Sequence, residues 1–171
     1  MTDSSFKDRW SRLWAPHRRN YLLSEAGQFS DSTCPFCIAP KLTDEDGLIV
    51  FRGDECYVVM NKYPYNNGHL LVCTFRHVAW YDEITDSERN EMSQLTKKAI
   101  EVLKKVNGAK GFNIGLNQGE IAGAGVAGHI HQHIVPRWAN DSNFMPIIGQ
   151  TKVMSELIED TRTRIKQAWV S

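Results

Sequence analysis

The chain has 171 residues, enough for one compact domain across 1–171, with residues 1–46 read as an N-terminal extension. Twenty Lys plus Arg balance twenty Asp plus Glu, so no broad field of either sign draws nucleic acid or an anionic membrane, and any bound anion must be held locally. The first residues lack a basic head followed by an apolar stretch, and no later apolar run reaches membrane-spanning length, which reads as a cytoplasmic protein with neither nucleic acid nor membrane as partner.

In chain order, residues 6–14 predict a short helix with Trp10, Leu13 and Trp14, stopped by Pro16, and a basic HRRNYL cluster follows. Residues 24–46 are rich in Ser, Asp, Thr, Gly and Pro and read as a loop that carries CPFC. LIVFRG and ECYVVMNKY read as two strands joined at residues 52–55, and GHLLVCTF as a third after the turn-rich YPYNNG. Thr85 followed by Glu88 is a capping box. Met92, Leu95, Ala99, Val102, Leu103 and Val106 then recur at helical spacing until Asn107-Gly108 supplies a stop. FNIGLN and HIHQHIVPRW predict two further strands, and a closing helix from about Lys152 to Trp169 places Val153, Leu157, Ile165 and Trp169 on its apolar side. The order predicts an α+β domain on an antiparallel sheet, with one long and one C-terminal helix.

His129, His131 and His133 alternate along the last of these strands, so they share a face while Ile130, Gln132 and Ile134 share the other. The outer two would be about 13 Å apart at roughly 3.3 Å per residue, too far for one zinc with bonds of about 2.0 Å to bind all three. The histidines must therefore divide their duties. Before them runs QGEIAGAGVAG, whose glycines let backbone N–H groups approach an anion. An imidazole held over phosphorus is a nucleophile largely neutral near pH 7, and the phosphoramidate it forms is labile, which is a route to nucleotidyl transfer. The plainer alternative is three polar strand residues satisfied by their neighbours.

His129-Ile130-His131-Gln132-His133-Ile134-Val135 resembles the His-x-His-x-His motif of the histidine triad superfamily, and NGHLLVCTFRHV resembles its second signature. The resemblance runs from about Gly47 to Trp138. VPRWANDSNFMPIIGQTKV and RLWAPHRRNYL are similar to the bacterial branch related to fragile-histidine-triad proteins and diadenosine tetraphosphate phosphorylases. The resemblance implies a homodimeric α+β enzyme that cleaves dinucleoside polyphosphates, by hydrolysis or phosphorolysis, through a nucleotidyl-histidine intermediate. Carried over by position, His131 is the nucleophile, His133 binds the phosphate and leaving oxygen, and His69 lies near the scissile phosphates. Asn61 would bind ribose, Val59 and Leu71 would line the base pocket, and Asn117 would contact the phosphate or leaving group; Gly123, Gly125 and Val126 of the glycine-rich loop are the remaining substrate-binding candidates. Gln132 stands where the family usually has an apolar residue, which questions how dry the reverse face of the strand is.

Cys34 and Cys37 have the spacing of a zinc knuckle but supply two of the four ligands that a closed structural site needs. The resemblance to zinc-containing members, including galactose-1-phosphate uridylyltransferases, implies His77 and His129 as the other two. A redox pair or two idle thiols are the alternatives, the first weakened by the missing βαβ context. Magnesium is expected only on the substrate's polyphosphate, since no acidic motif marks a protein-held site. Other superfamily activities, a nucleoside phosphoramidase or an adenylylsulfate-cleaving enzyme, and a non-catalytic nucleotide-binding module are the rival readings.

Overall fold

The computed structural model describes residues 30–141, 148–149 and 154–170. The expected helix at 6–14, the HRRNYL cluster and the segment 24–29 lie outside the described residues, as do Lys152 and Val153. Five strands, β1 (Ile49–Arg52), β2 (Cys56–Met60), β3 (Leu70–Thr74), β4 (Gly111–Leu116) and β5 (His131–Arg137), form one sheet in the order β1-β2-β3-β5-β4. Every neighbouring pair is antiparallel. Among the described residues, the helices α1 (Pro35–Ile38), α2 (Asp86–Asn107) and α3 (Ile158–Trp169) accompany it.

The alternation of side chains divides the sheet into two differently covered faces. Val58, Met60, Leu70, Val72 and Ile134 point to one face and pack with Met92, Leu95, Ala99, Val102 and Leu103 of α2 and Ile165 and Trp169 of α3. Each such side chain, fully buried, stabilises by roughly 1.5–3 kcal/mol. Ile49, Tyr57, Val59, Leu71 and Cys73 form a smaller cluster on the other face, covered by Phe36 and Phe75. That second face carries the histidines. β2 and β3 are buried along their whole length, which explains why their sequences are continuously apolar rather than alternating.

The start of α2 follows from its sequence. Thr85 Oγ1 accepts the Glu88 N–H at 3.1 Å, and the Glu88 carboxylate accepts the Thr85 N–H at 2.7 Å. Gly108 ends the helix at φ 61°, a left-handed C-cap. One turn further on, Glu91 reaches out of α2 to the β1–β2 hairpin, where its carboxylate accepts the N–H groups of Asp54, Glu55 and Cys56 at 2.8, 2.6 and 2.7 Å. A Cβ at Gly53 would lie 2.3 Å from that carboxylate, so the hairpin needs glycine there.

Three expectations are corrected. CPFC is not in an irregular loop: Cys34 is the N-cap of α1 and Pro35 its first residue, where proline's missing N–H and fixed φ suit a helix start. The closing helix begins at Ile158 rather than about Lys152; residues 154–157 are not helical, and Leu157 is its N-cap and exposed. β5 begins at His131, so His129 precedes the strand. Gln132 does face away from the histidine face, and its amide donates to Thr96 Oγ1 of α2 at 2.7 Å, pairing a polar group inside the helix-side layer.

Candidate active site and metal centre

β3 and β5 bring the histidines together. Leu71 pairs with His133 and Cys73 with His131, so both imidazoles rise from the same face as Leu71 and Val59. His131 and His133 are 6% and 9% exposed, and their ring centroids are 5.0 Å apart. His69, one residue before β3, is fully buried and lies across the strand pair from His133.

The hydrogen bonds assign the ring protons. His131 Nδ1 is 2.8 Å from the carbonyl oxygen of His129, which can only accept, so Nδ1 carries the hydrogen and Nε2 keeps its lone pair. Burial lowers the pKa of His131 against the opposing pull of that hydrogen bond, so the ring stays neutral at neutral pH. His69 Nδ1 accepts the Tyr65 N–H at 3.0 Å, with the Asn61 amide 3.3 Å away. Its Nε2–H therefore donates to His133 Nδ1 at 3.0 Å, and His133 carries its own hydrogen on Nε2. Burial, then the adjacent His133 and His131, lowers His69 to about 3, which keeps the His69 ring neutral. Tyr65 stacks on His133 at 5.4 Å and 14° and leans on His69 at 4.6 Å.

At the other end of the histidine row, Cys34, Cys37, His77 and His129 converge, their ligand atoms all within 4.8 Å of one another. Cys37 Sγ lies 3.1 Å from His77 Nδ1 and 3.4 Å from His129 Nδ1, and Cys34 Sγ is 3.5 Å from His129 Nδ1. Those separations fit a tetrahedral ion with bonds of about 2.0–2.3 Å. The outer shell fits as well. His129 Nε2–H donates to the Thr74 carbonyl at 2.9 Å, and His77 Nε2 faces the Asp31 carboxylate at 3.6 Å, which turns both Nδ1 lone pairs toward the sulfurs. Burial and the charge of Cys34 push the Cys37 thiol up to about 12, and burial draws His129 down to about 4. A divalent cation would favour the Cys37 thiolate that this environment otherwise resists. The donor set could thus hold a metal ion.

The remaining residues singled out in the sequence are distributed around these two groups. Val59 and Leu71 are 5% and 3% exposed in the cluster beneath His133, and Asn61 also accepts the Tyr63 N–H at 2.9 Å. Asn117 follows the last β4–β5 pair, Leu116 with Gln132, which sets it level with His131. Gly123, Gly125 and Val126 lie in the irregular segment that enters β5; its turns use positive φ at Gly119 (77°) and Gly123 (83°), and Trp80 lies 3.3 Å from where a Gly119 Cβ would be. Sequence reasoning missed Phe36 and Tyr65, whose rings touch the histidines. Their signal was aromatic residues set inside the motifs themselves, between the two cysteines and just ahead of NGH.

A five-stranded antiparallel sheet with histidines on one face defines a histidine triad domain, and residues 43–140 match the HIT domain family model. The chain belongs to the HIT family. It is 44% identical over 168 residues to the AP-4-A phosphorylase of Mycobacterium tuberculosis, covering 95% of this chain and 86% of that protein. It is 37% identical over 89 residues to the asymmetrical bis(5'-nucleosyl)-tetraphosphatase of Schizosaccharomyces pombe, covering 52% of this chain and 48% of the relative. Among solved structures, a histidine triad nucleotide-binding protein of Sulfolobus tokodaii aligns with TM-score 0.65 and 27% identity over 80% of this chain and 92% of its own. A Zn-bound histidine triad family protein of Mycobacterium smegmatis shares the fold at TM-score 0.65 and 19% identity, covering 82% and 96%.

Proposed function

We propose that the chain is an enzyme that cleaves dinucleoside polyphosphates of the diadenosine tetraphosphate kind through a nucleotidyl intermediate on His131. The observation that carries this reading is the protonation of the triad: His131 presents a basic Nε2, while His133 presents an N–H donor beside it. In the first step Nε2 attacks the α-phosphorus and forms the N–P bond. The P–O bond to the bridging oxygen breaks, and its electron pair leaves with the nucleoside polyphosphate. A hydrogen bond from His133 Nε2–H stabilises that oxygen, and no full proton transfer is needed because the leaving group departs as a phosphate anion. In the second step inorganic phosphate or water attacks the same phosphorus, the N–P bond breaks, and the product is a nucleoside diphosphate or monophosphate. Similarity along nearly the whole chain to a phosphorylase supports phosphate as the acceptor.

On this reading Val59 and Leu71 wall the base, Asn61 holds the ribose, and Asn117, Gly123, Gly125 and Val126 contact phosphate. Zinc held by Cys34, Cys37, His77 and His129 would join α1 to the sheet and fix the backbone beside His131. Magnesium would be carried on the polyphosphate. The working form is a cytoplasmic homodimer, a state supported by the exposed edge strand β4 with Ile114 at 47% exposure and tested by sedimentation at micromolar concentration, where a monomeric mass overturns it.

Product analysis tests the chemistry. Diadenosine tetraphosphate should give ADP and ATP with inorganic phosphate present, and AMP and ATP if water is the acceptor. If it is left intact while nucleoside phosphoramidates are cleaved, the substrate class is wrong.

A further inference from the structure

We propose that Phe36, which with Pro35 lies between the two cysteines, is a positioning residue that fixes the angle of the His131 imidazole. The proposal rests on His131 being the nucleophile. The Phe36 ring lies 4.7 Å from the His131 ring at 39° and 5.6 Å from the His129 ring at 67°, so one side chain bears on the reacting histidine and on the end of the metal group at once.

Phe36 has little freedom to move. Its backbone runs between Cys34 and Cys37, both within the four-residue metal group. Its carbonyl accepts the Tyr57 hydroxyl at 2.6 Å, and Tyr57 is itself fully buried and stacked on Phe75 at 5.2 Å. Phe36 packs against the cluster of Ile49, Tyr57, Val59, Leu71 and Cys73, the apolar floor of the histidine face.

Other contacts bear on the His131 ring as well. The Nδ1–H bond to the His129 carbonyl fixes one edge of it. The His133 ring meets His131 edge-on at 5.0 Å and 63°, and Phe36 bears on it from a different element. Together these contacts limit the plane in which the Nε2 lone pair points. In-line displacement demands that direction, because the lone pair must meet phosphorus opposite the departing oxygen. Phe36 therefore carries the geometry of the cysteine turn to the reacting nitrogen.

The test compares Phe36→Leu, Phe36→Ala and Phe36→Tyr in the full-length, zinc-loaded protein. It reads zinc content, KM and kcat with diadenosine tetraphosphate, and the pre-steady-state rate of adduct formation. Expected are a kcat and an adduct-formation rate lower by about 10-fold for Leu and about 10²-fold for Ala, a misalignment effect, with KM changed less than about twofold. Zinc content should be unchanged, and Phe36→Tyr, which keeps the ring, should restore most of the rate. A raised KM at unchanged kcat overturns the proposal and makes Phe36 a wall of the nucleotide pocket. Loss of zinc in Phe36→Leu overturns it in favour of a structural role in the turn; this variant decides the matter if the alanine variant does not fold. Mapping the adduct in the unmodified protein separates the two levels. An adduct on a residue other than His131 removes the nucleophile reading and this proposal together, while an adduct on His131 with an unaffected Phe36→Leu removes the proposal alone.

Discussion

His129 and His133 are the same residue four positions apart, yet their rings are wired in opposite senses. At the metal end, a backbone carbonyl takes the Nε2–H of His129 and leaves Nδ1 for the sulfurs. At the relay end, His69 donates into Nδ1 of His133 and leaves Nε2–H as a donor. His131, between them, has a carbonyl on Nδ1 and a basic Nε2. What an imidazole does here is set by which nitrogen its fixed partner occupies, not by its place in a motif.

The strongest way to break this comparison is at its centre. His131→Asn should lower turnover by on the order of 10⁴-fold or more while AMP still binds, as steady-state rates and calorimetry would report. Retained turnover would mean that the basic nitrogen is elsewhere. At the metal end, replacing Cys34 and Cys37 together by Ser should take zinc from about one per chain to near zero and lower Tm by about 10 °C, read by elemental analysis and thermal unfolding. An unchanged Tm would leave the turn to its hydrogen bonds.

At the relay end, His69→Ala should lower kcat by about 10²-fold, with partial recovery in His69→Gln, which keeps an N–H donor. The same residue sets an acid limit on stability. Its pKa is about 3 when folded against about 6.5 when unfolded, so the unfolded chain takes up the proton first. Stability is complete above about 6.5 and declines as pH falls toward 3, at up to roughly 1.4 kcal/mol per unit. Tm measured at pH 7 and pH 5 should fall less for His69→Gln than for the unmodified protein. Least disruptive of all, Thr96→Val on the opposite face of the sheet should cost about 1–3 kcal/mol by stranding the Gln132 amide, with kcat unaltered.

Much of this was readable from the chain because the signals are local. Thr85, Glu88 and Gly108 state where α2 begins and ends in their own chemistry, and the period-two histidines declare a strand face. The joining of Cys34 and Cys37 to His77 and His129 spans more than 90 residues, and it could be anticipated only through resemblance to proteins that already make it. The late start of α3 went unseen because an apolar period does not mark the residue at which a helix starts. Phe36 was missed for a different reason: its place between the cysteines marks it, but an aromatic there looks like any core residue until the ring beside it is known.

The Glu91 carboxylate that closes the β1–β2 hairpin changes how that turn exchanges with solvent. Amides in a turn between strands ordinarily swap hydrogen for deuterium quickly, since water is their alternative partner. Those of Asp54, Glu55 and Cys56 are instead held by a side chain rooted in α2, 35–37 residues away in sequence. They open only when the Glu91 carboxylate lets go, so the hydrogens of Asp54 and Glu55 in the exposed turn, and of Cys56 at the start of β2, should exchange more slowly than those of a free turn and report the docking of α2 on the hairpin.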